Sequence, residues 1–336
     1  MIEIISDYNR VDISQWQEFI KKHPNGNIFQ TPEMYAFFKS VKNYDPYIFV
    51  ALDKQKKIVG VLLAVVIKET RLAGFFSARC IIWGGPLVSG QSNAQKIMGL
   101  LLTEFNKTLS GKTIYTEFRN LFSIKEFEKV FEEEKFVFNG HYNFIVDLRD
   151  KELLWKRINS GKKRQIKKSL KNGAKIVEPT DIKEVKEFYQ ILFHLYKSKV
   201  KKPLPSFSFF ENFFYNKELG KYLLIEYNSK IVGGIMCPVY KDTIYEWYVC
   251  GLDREYKDIY PSVLATWAAI YYGMKNNLKY FDFMGAGKPD QDYGVRKFKS
   301  QFGGELVNYG RYIRINNKFL YYLGKFGLKL YQKLRF

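Results

Sequence analysis

Two hydrophobic periodicities run through this chain, one of strands and one of helices. Tyr47 to Ile67 contains two β-rich runs, Y-I-F-V-A-L and I-V-G-V-L-L-A-V-V-I, separated by a polar turn, which predicts a hairpin. The residues before it read as helical pieces broken at His23-Pro24-Asn25-Gly26. One of these opens at Thr31-Pro32-Glu33, with Thr31 as cap and Pro32 in the first helical position, and leads into M-Y-A-F-F-K. Beyond the hairpin come an apolar run from Arg79 to Val88 broken at Gly84-Gly85-Pro86 and a helical pattern over 91–109. A strand from Thr113 to Arg119, a charged helix from Ile124 to Glu134 and a strand from Asn143 to Leu148 follow, and the last of these is expected to end the first half.

The hairpin pattern then recurs. Tyr222 to Val239 reads Y-L-L-I-E-Y-N-S-K-I-V-G-G-I-M-C-P-V, and Lys230-Ile231-Val232-Gly233 repeats Lys57-Ile58-Val59-Gly60 about half a chain later. One such tetrapeptide would carry no weight, but two copies, each closing a hairpin of similar length, predict one α/β unit present twice in tandem. The units are expected at 1–148 and 149–316.

The second half opens on a basic segment. Ile158, Ile166 and Leu170 allow one apolar stripe, Ser160 is placed to cap a helix, and Asn172-Gly173 ends it. A helix from Ile182 to Lys197 precedes a proline-marked loop, K-V-K-K-P-L-P-S-F-S-F-F. Past the second hairpin come a strand from Thr243 to Gly251, a helix from Pro261-Ser262 to Lys275 and a strand from Tyr280 to Met284. That strand breaks at Gly285 and Gly287 and leads to a short helix carrying Val295, Phe298 and Phe302, stopped by Gly303-Gly304. Lys299 can lay its stem along the apolar edge and reach out with its ammonium. A strand end, a glycine-lined gap and a positioned lysine suit an acyl or anion site; a strand-loop-helix connection with a surface lysine is the plainer alternative. The tail puts Phe319, Leu323, Phe326, Leu330 and Leu334 on one helical face among lysines, a pattern that suits either docking on the protein itself or an anionic membrane.

Charge sharpens this picture. The formal net charge is +20, and between Lys156 and Lys175 nine Lys or Arg residues occur without an acid. Lys162, Lys163, Arg164, Lys167 and Lys168 are therefore candidates to meet an anion such as nucleic acid, with a solvated basic face as the alternative. Cys80, Cys237 and Cys250 have no paired spacing and are expected to be buried core residues. His23, His141 and His194 lie far apart, and no nucleophile elbow, Walker loop or dinucleotide fingerprint is present, so metal and triad chemistry are not expected. What remains suits an acyl transfer in which the protein positions two reactive substrates and stabilises an oxyanion. No apolar run is long enough to span a membrane, and the N-terminus lacks the pattern of an export signal, which predicts a cytoplasmic location.

A K-I-V-G hairpin followed by strand, helix and strand resembles the GNAT acyltransferase unit. Two such units with F-K-x-x-F-G-G near the end resemble the Fem family (FemA, FemB, FemX), aminoacyltransferases that build peptidoglycan interpeptide bridges. The resemblance is sharpest over I-F-Q-T-P-E-M-Y-A-F-F-K at 28–39, over the basic helix and over 281–304. It implies an α/β fold (α+β in some schemes) of two tandem GNAT-like units, each a mixed, mostly antiparallel sheet flanked by helices, with the helix over 317–336 packed back on the first unit. It implies transfer of an amino acid from aminoacyl-tRNA to an amine of a peptidoglycan precursor, with Lys299 beside Phe298 stabilising the transition state. Lys39 matches a substrate-gripping lysine, and Lys199 matches a basic residue that contacts the sugar nucleotide. Lys202, Tyr248, Gly285 and Gly287 complete the candidate substrate-binding set. Where the family carries Asp-Pro, this chain has Glu117-Phe118-Arg119-Asn120, so either Glu117 replaces the acid or its role is missing.

The resemblance implies no permanently bound cofactor and no metal, aminoacyl-tRNA as co-substrate, an anionic cell-wall precursor as acceptor, a monomer, and peripheral contact with the inner membrane face. A GNAT-type N-acyltransferase using acyl-CoA on a cell-surface sugar or amino-sugar precursor is the main rival. Such enzymes cradle pyrophosphate on a glycine-rich turn at a helix N-terminus, and the corresponding stretch here, Arg254 to Ser262, has no glycine. A non-catalytic nucleic-acid-binding protein is the third reading, and it leaves the repeated unit without a purpose.

Overall fold

The computed structural model describes residues 2–69, 77–90, 93–291 and 293–334. The chain divides into two compact units, Met1–Gly140 with Tyr309–Phe336, and His141–Asn308.

In chain order the first unit contributes β1 (Glu3–Ile5), α1 (Ile13–Lys22), α2 (Pro32–Ser40), β2 (Tyr44–Leu52), β3 (Ile58–Ile67), β4 (Arg79–Trp83), β5 (Leu87–Val88), α3 (Ala94–Leu109), β6 (Tyr115–Arg119), α4 (Glu128–Glu133) and β7 (Val137–Asn139). The second comprises β8 (Asn143–Asp147), α5 (Lys151–Arg157), α6 (Ser160–Lys171), β9 (Lys175–Val177), α7 (Ile182–Leu195), α8 (Phe207–Tyr215), β10 (Gly220–Tyr227), β11 (Lys230–Tyr240), β12 (Thr243–Tyr245), β13 (Tyr248–Gly251), α9 (Pro261–Lys275), β14 (Tyr280–Asp282), α10 (Gly294–Ser300) and β15 (Glu305–Val307). The closing elements β16 (Arg311–Ile315) and α11 (Lys318–Leu334) belong to the first unit.

Each unit is a mixed, mostly antiparallel sheet flanked by helices. The first sheet runs β1-β2-β3-β4-β6-β16-β7, with β5 paired to β3; the second runs β15-β8-β14-β12-β11-β10-β9, with β13 paired to β11. Each contains a parallel pair, β4 with β6 and β12 with β14. The repeated tetrapeptide has the same structural duty in both. The ladder slips between Ala51 and Leu52 in one hairpin and between Ile225 and Glu226 in the other, each time just across from K-I-V-G. The glycine then lets the long helix come close: a Cβ on Gly60 would stand 3.0 Å from Ile97 and Leu101 of α3, and one on Gly233 would stand 2.8 Å from the Cys250 carbonyl and 3.0 Å from Pro261 of α9.

Strand pairing corrects the expected boundaries. The strand expected to close the first half, β8, pairs with β14 and β15 in the second sheet, where Phe144 and Val146 are buried beside Phe281 and Phe283. Conversely β16, expected in the second unit, lies between β6 and β7. Its Tyr312 stacks 4.3 Å from Phe131 in the cluster of Phe118, Phe131 and Phe136, and burial of that ring decides where the strand goes.

Local corrections have similar causes. The cap of α6 is Asn159, whose Oδ1 accepts from Gly161 N, and Ser160 is already helical. Leu170 is exposed, and the buried edge of α6 is made by Lys162, Ile166 and Ser169. The end of the expected proline-marked loop is helix α8, whose Phe209, Phe210, Phe213 and Phe214 are buried. Val295 is exposed, so the inward residues near α10 are Lys299 and Phe302. In α11 the inward residues are Leu320, which is buried, and Tyr321, whose ring meets Tyr115 edge-on at 5.5 Å. The expected face of Phe319, Leu323 and Phe326 is exposed, while Leu330 and Leu334 lie outside the described side chains. All three cysteines are free and buried.

Candidate active site

The stretch after β14 is bent by backbone conformations that L-residues adopt rarely. Met284, Gly285 and Gly287 have φ of 55°, 136° and 82°. A Cβ on Gly287 would stand 2.6 Å from the Tyr293 ring, so glycine is required there for space as well as for conformation. Such strain persists only where surrounding contacts impose it, and it gathers at functional sites.

Those contacts converge on Lys299. Its Nζ donates to the Phe283 carbonyl, the Gly285 carbonyl and Glu246 Oε1, each at 2.8 Å, and it lies 5.2 Å from the Phe283 ring centroid. A lysine ammonium has three donors, and all three are used. The expectation that this side chain reaches outward is therefore corrected: Lys299 is 8% exposed and turns inward to hold the glycine-rich turn. Opposite-charge pairing is what allows it to be buried.

Two buried carboxylates complete the site. Glu246 occupies the break between β12 and β13, and its backbone N–H donates to the Asp282 carbonyl at 2.8 Å. Burial raises the Glu246 pKa, the Lys299 charge and hydrogen bond pull it back, and the net effect is upward. Its Oε2 is buried and has no hydrogen-bond partner among the described residues. Asp282 Oδ1 accepts from Asn143 Nδ2 at 2.7 Å and from Met284 N at 2.6 Å, while Asn143 Oδ1 accepts from Gly285 N at 2.7 Å. Burial pushes the Asp282 pKa up to about 6 against those hydrogen bonds and the Lys299 charge. A lysine bound by two carbonyls and a carboxylate, next to a carboxyl poised to exchange a proton near neutrality, has the parts for acid–base and oxyanion chemistry.

Several other candidates lie in the second unit, in two separate groups. Phe298 packs on Phe302, with centroids 5.2 Å apart, and Lys162 Nζ lies 4.4 Å above the Phe298 ring. Lys162 is buried, which lowers its pKa, so it is set apart from the outward cations of α6. Tyr248 packs among Phe209, Phe210 and Trp247, and its ring lies 6.4 Å from that of Tyr196. Lys199 is exposed on the turn that begins at Tyr196, and Lys202 is exposed just beyond it.

Lys39 and Glu117 belong to the first unit. Lys39 is exposed in the last turn of α2. Glu117, on β6, accepts from Arg119 Nε at 3.0 Å and Nη2 at 2.9 Å and from Arg311 Nη1 at 2.6 Å. Burial alone would raise its pKa, but the two guanidiniums hold it at about 2. Glu117 is thus an ionised anchor for two arginines, and Arg119 also lies 5.5 Å from the Trp83 ring. A depressed pKa contributes stability that is present above the unfolded value near 4.5 and is lost as pH falls through about 2. Glu117→Gln is expected to lower unfolding free energy by about 2 kcal/mol near neutral pH and to remove this acid-side loss. Urea unfolding at neutral and acid pH measures both, and an unmoved midpoint would show that the cluster is not stabilising.

Glu246, Asp282 and Asn143 were missed in the sequence. The available signal was a single acid inside an apolar run, in Y-E-W and in F-D-F. Among the described residues no group of His, Cys, Asp or Glu could hold a metal ion, and no helix is long and apolar enough to cross a membrane.

The two sheets, each with its repeated hairpin and long helix, define a fold of two tandem GNAT-like units. Residues 224–327, a span that includes Glu246, Asp282, Phe298 and Lys299, match the model of the FemAB family. The chain is similar in structure to FemX, with a TM-score of 0.71 at 15% identity, covering 96% of this chain and 99% of that one. It is also similar to a tandem GNAT protein from the clavulanic acid biosynthesis pathway (TM-score 0.59, 9% identity, 94% and 99% covered) and to L-PGS from Bacillus licheniformis (0.58, 12%, 91% and 92%). No curated protein matches the chain by sequence. The Fem resemblance is therefore present in sequence over 224–327 and in fold over nearly the whole chain.

Proposed function

We propose that this protein is a Fem-type aminoacyltransferase that moves an amino acid from aminoacyl-tRNA to an amine of an anionic peptidoglycan precursor. The observation that carries this reading is that the FemAB match spans Lys299 and the three residues that accept its hydrogen bonds, Phe283, Gly285 and Glu246. In the reaction the acceptor amine attacks the ester carbonyl, a C–N bond forms, the ester C–O bond breaks, and the amine proton ends on the released ribose oxygen. Of the acceptors on Lys299, the Gly285 carbonyl makes the less buried bond and is the one an oxyanion would displace. Lys39, Lys199 and Lys202 are proposed to meet the precursor's phosphates. The enzyme is read as a cytoplasmic monomer working against the inner membrane face, with no permanently bound cofactor.

The acyl-CoA alternative is disfavoured by a local feature. At the start of α9, where a pyrophosphate would seek free amides, Asp253 already accepts from Ser262 N at 3.1 Å and from the Ser262 hydroxyl. A carboxylate in that place repels a second anion. None of the comparisons supports a non-catalytic nucleic-acid-binding protein.

Parallel incubations with charged tRNA and with acetyl-CoA, each with a muropeptide acceptor, test the reading by product mass. Aminoacyl-tRNA is expected to be consumed and the acceptor to gain one amino acid. Consumption of acetyl-CoA alone would overturn it.

A further inference from the structure

The outward side of α6 has a construction that the reaction centre does not use. A cavity of about 680 Å³ is lined by Trp155, Lys163, Arg164, Lys167, Lys168 and Lys171. Among the described residues only Lys168 of these five cations pairs with a carboxylate, Asp258 at 2.6 Å. Lys163, Lys167 and Lys171 follow one another at four-residue spacing, about 6 Å apart along the axis. Like charges at that spacing disfavour the helix unless an anion lies along them.

The aromatic floor separates this face from an ordinary solvated one. Lys163 and Lys167 each place an ammonium 5.9 Å from the Trp155 ring centroid. Trp267 lies 5.2 Å from Trp155, and the exposed Tyr271 lies 6.1 Å from Trp267, so the aromatic surface continues past the cavity. Cations beside a half-buried indole match a single-stranded nucleic acid, whose phosphates take the charge and whose bases stack. A bilayer surface favours apolar side chains projecting beyond the cations, whereas Trp155 is half-buried with the Lys163 and Lys167 ammoniums over its ring.

We propose that this cavity docks the RNA of the acyl donor, with unpaired nucleotides running along the Lys163–Lys167–Lys171 edge, their phosphates drawing the two ammoniums off the indole so that one base stacks on Trp155. The proposal rests on the reading of the protein as a user of an RNA-borne donor, and it adds a binding site outside the reaction centre.

Fluorescence anisotropy with uncharged total tRNA and with a short labelled single-stranded RNA, across a KCl series, tests it. Single-stranded RNA is expected to bind more tightly than a duplex of equal length. Lys163→Ala with Lys167→Ala should flatten the slope of log affinity against log salt by about 1.4, at about 0.7 for each lost contact. Trp155→Ala should weaken binding by about 5- to 150-fold, and Trp155→Phe should restore most of it. If Trp155→Ala does not fold, the lysine pair alone decides, since both side chains lie on the outward face. RNA affinity unchanged in the lysine variant would overturn the proposal, as would loss of anionic-vesicle binding with RNA binding intact. Because binding is read with uncharged RNA, the two readings fail separately. Use of acetyl-CoA alone sinks the proposed reaction, while aminoacyl-tRNA consumption with an unchanged KM in the lysine variant sinks the docking site.

Discussion

Lys299→Met is expected to lower unfolding free energy by about 3–5 kcal/mol and turnover by more than about tenfold. The stability loss follows from what the substitution leaves behind. Glu246 is 5% exposed, and Lys299 is the partner of its Oε1, while its Oε2 has none among the described residues. Without the ammonium a buried carboxylate must either stay charged in an apolar site or take up a proton, and both are costly. The carbonyls of Phe283 and Gly285 lose their shared donor as well, which frees the strained turn. A companion variant separates this scaffolding role from a chemical one. Lys299→Met with Glu246→Gln removes the charge together with its partner and should recover much of the stability, because replacing a whole buried pair is far milder than breaking it. If Lys299 also stabilises the developing oxyanion, turnover stays low in this double variant. Recovery of turnover together with stability would confine Lys299 to scaffolding.

The second large effect concerns pH. Asp282 ionises at about 6 in the folded chain against 3.8 for a free carboxyl, because burial outweighs its hydrogen bonds. Between these values the folded state holds the proton and the unfolded state has released it, so stability falls as pH rises. The contribution, roughly 3 kcal/mol, is fully present below about pH 4 and gone above about pH 6. Asp282→Asn cannot ionise, yet it keeps an oxygen to accept from Asn143 and Met284. It should therefore be more stable than the parent near neutral pH, by up to roughly 3 kcal/mol, with a flatter profile between about pH 4 and pH 6. Urea titrations across that range measure both, and parallel profiles for parent and variant would show that Asp282 does not carry the proton. A loss of turnover in Asp282→Asn alongside gained stability is the result expected if this carboxyl takes part in proton transfer.

By itself the sequence determined the repeated unit, both hairpins, the Thr31 cap and the cationic helix. These depend on neighbours a few residues apart, through strand alternation, turn chemistry and helical spacing. Even the K-I-V-G repeat was legible, although its reason was not: Gly60 and Gly233 are small because α3 and α9 cross there, and a crossing helix leaves no local trace. The chemistry around Lys299 was only half legible. The lysine and the glycines lie within one stretch, but Glu246 comes from the break between β12 and β13 and Asn143 from β8; the first pairs with the ammonium and keeps it buried, and the second holds the turn at Gly285. Tertiary structure alone also placed β8 and β16, since strand order depends on which aromatic core buries Phe144 or Tyr312 and sequence distance does not encode it. The same holds for Trp155, an unremarkable residue in the chain until α6 sets its lysines over the ring.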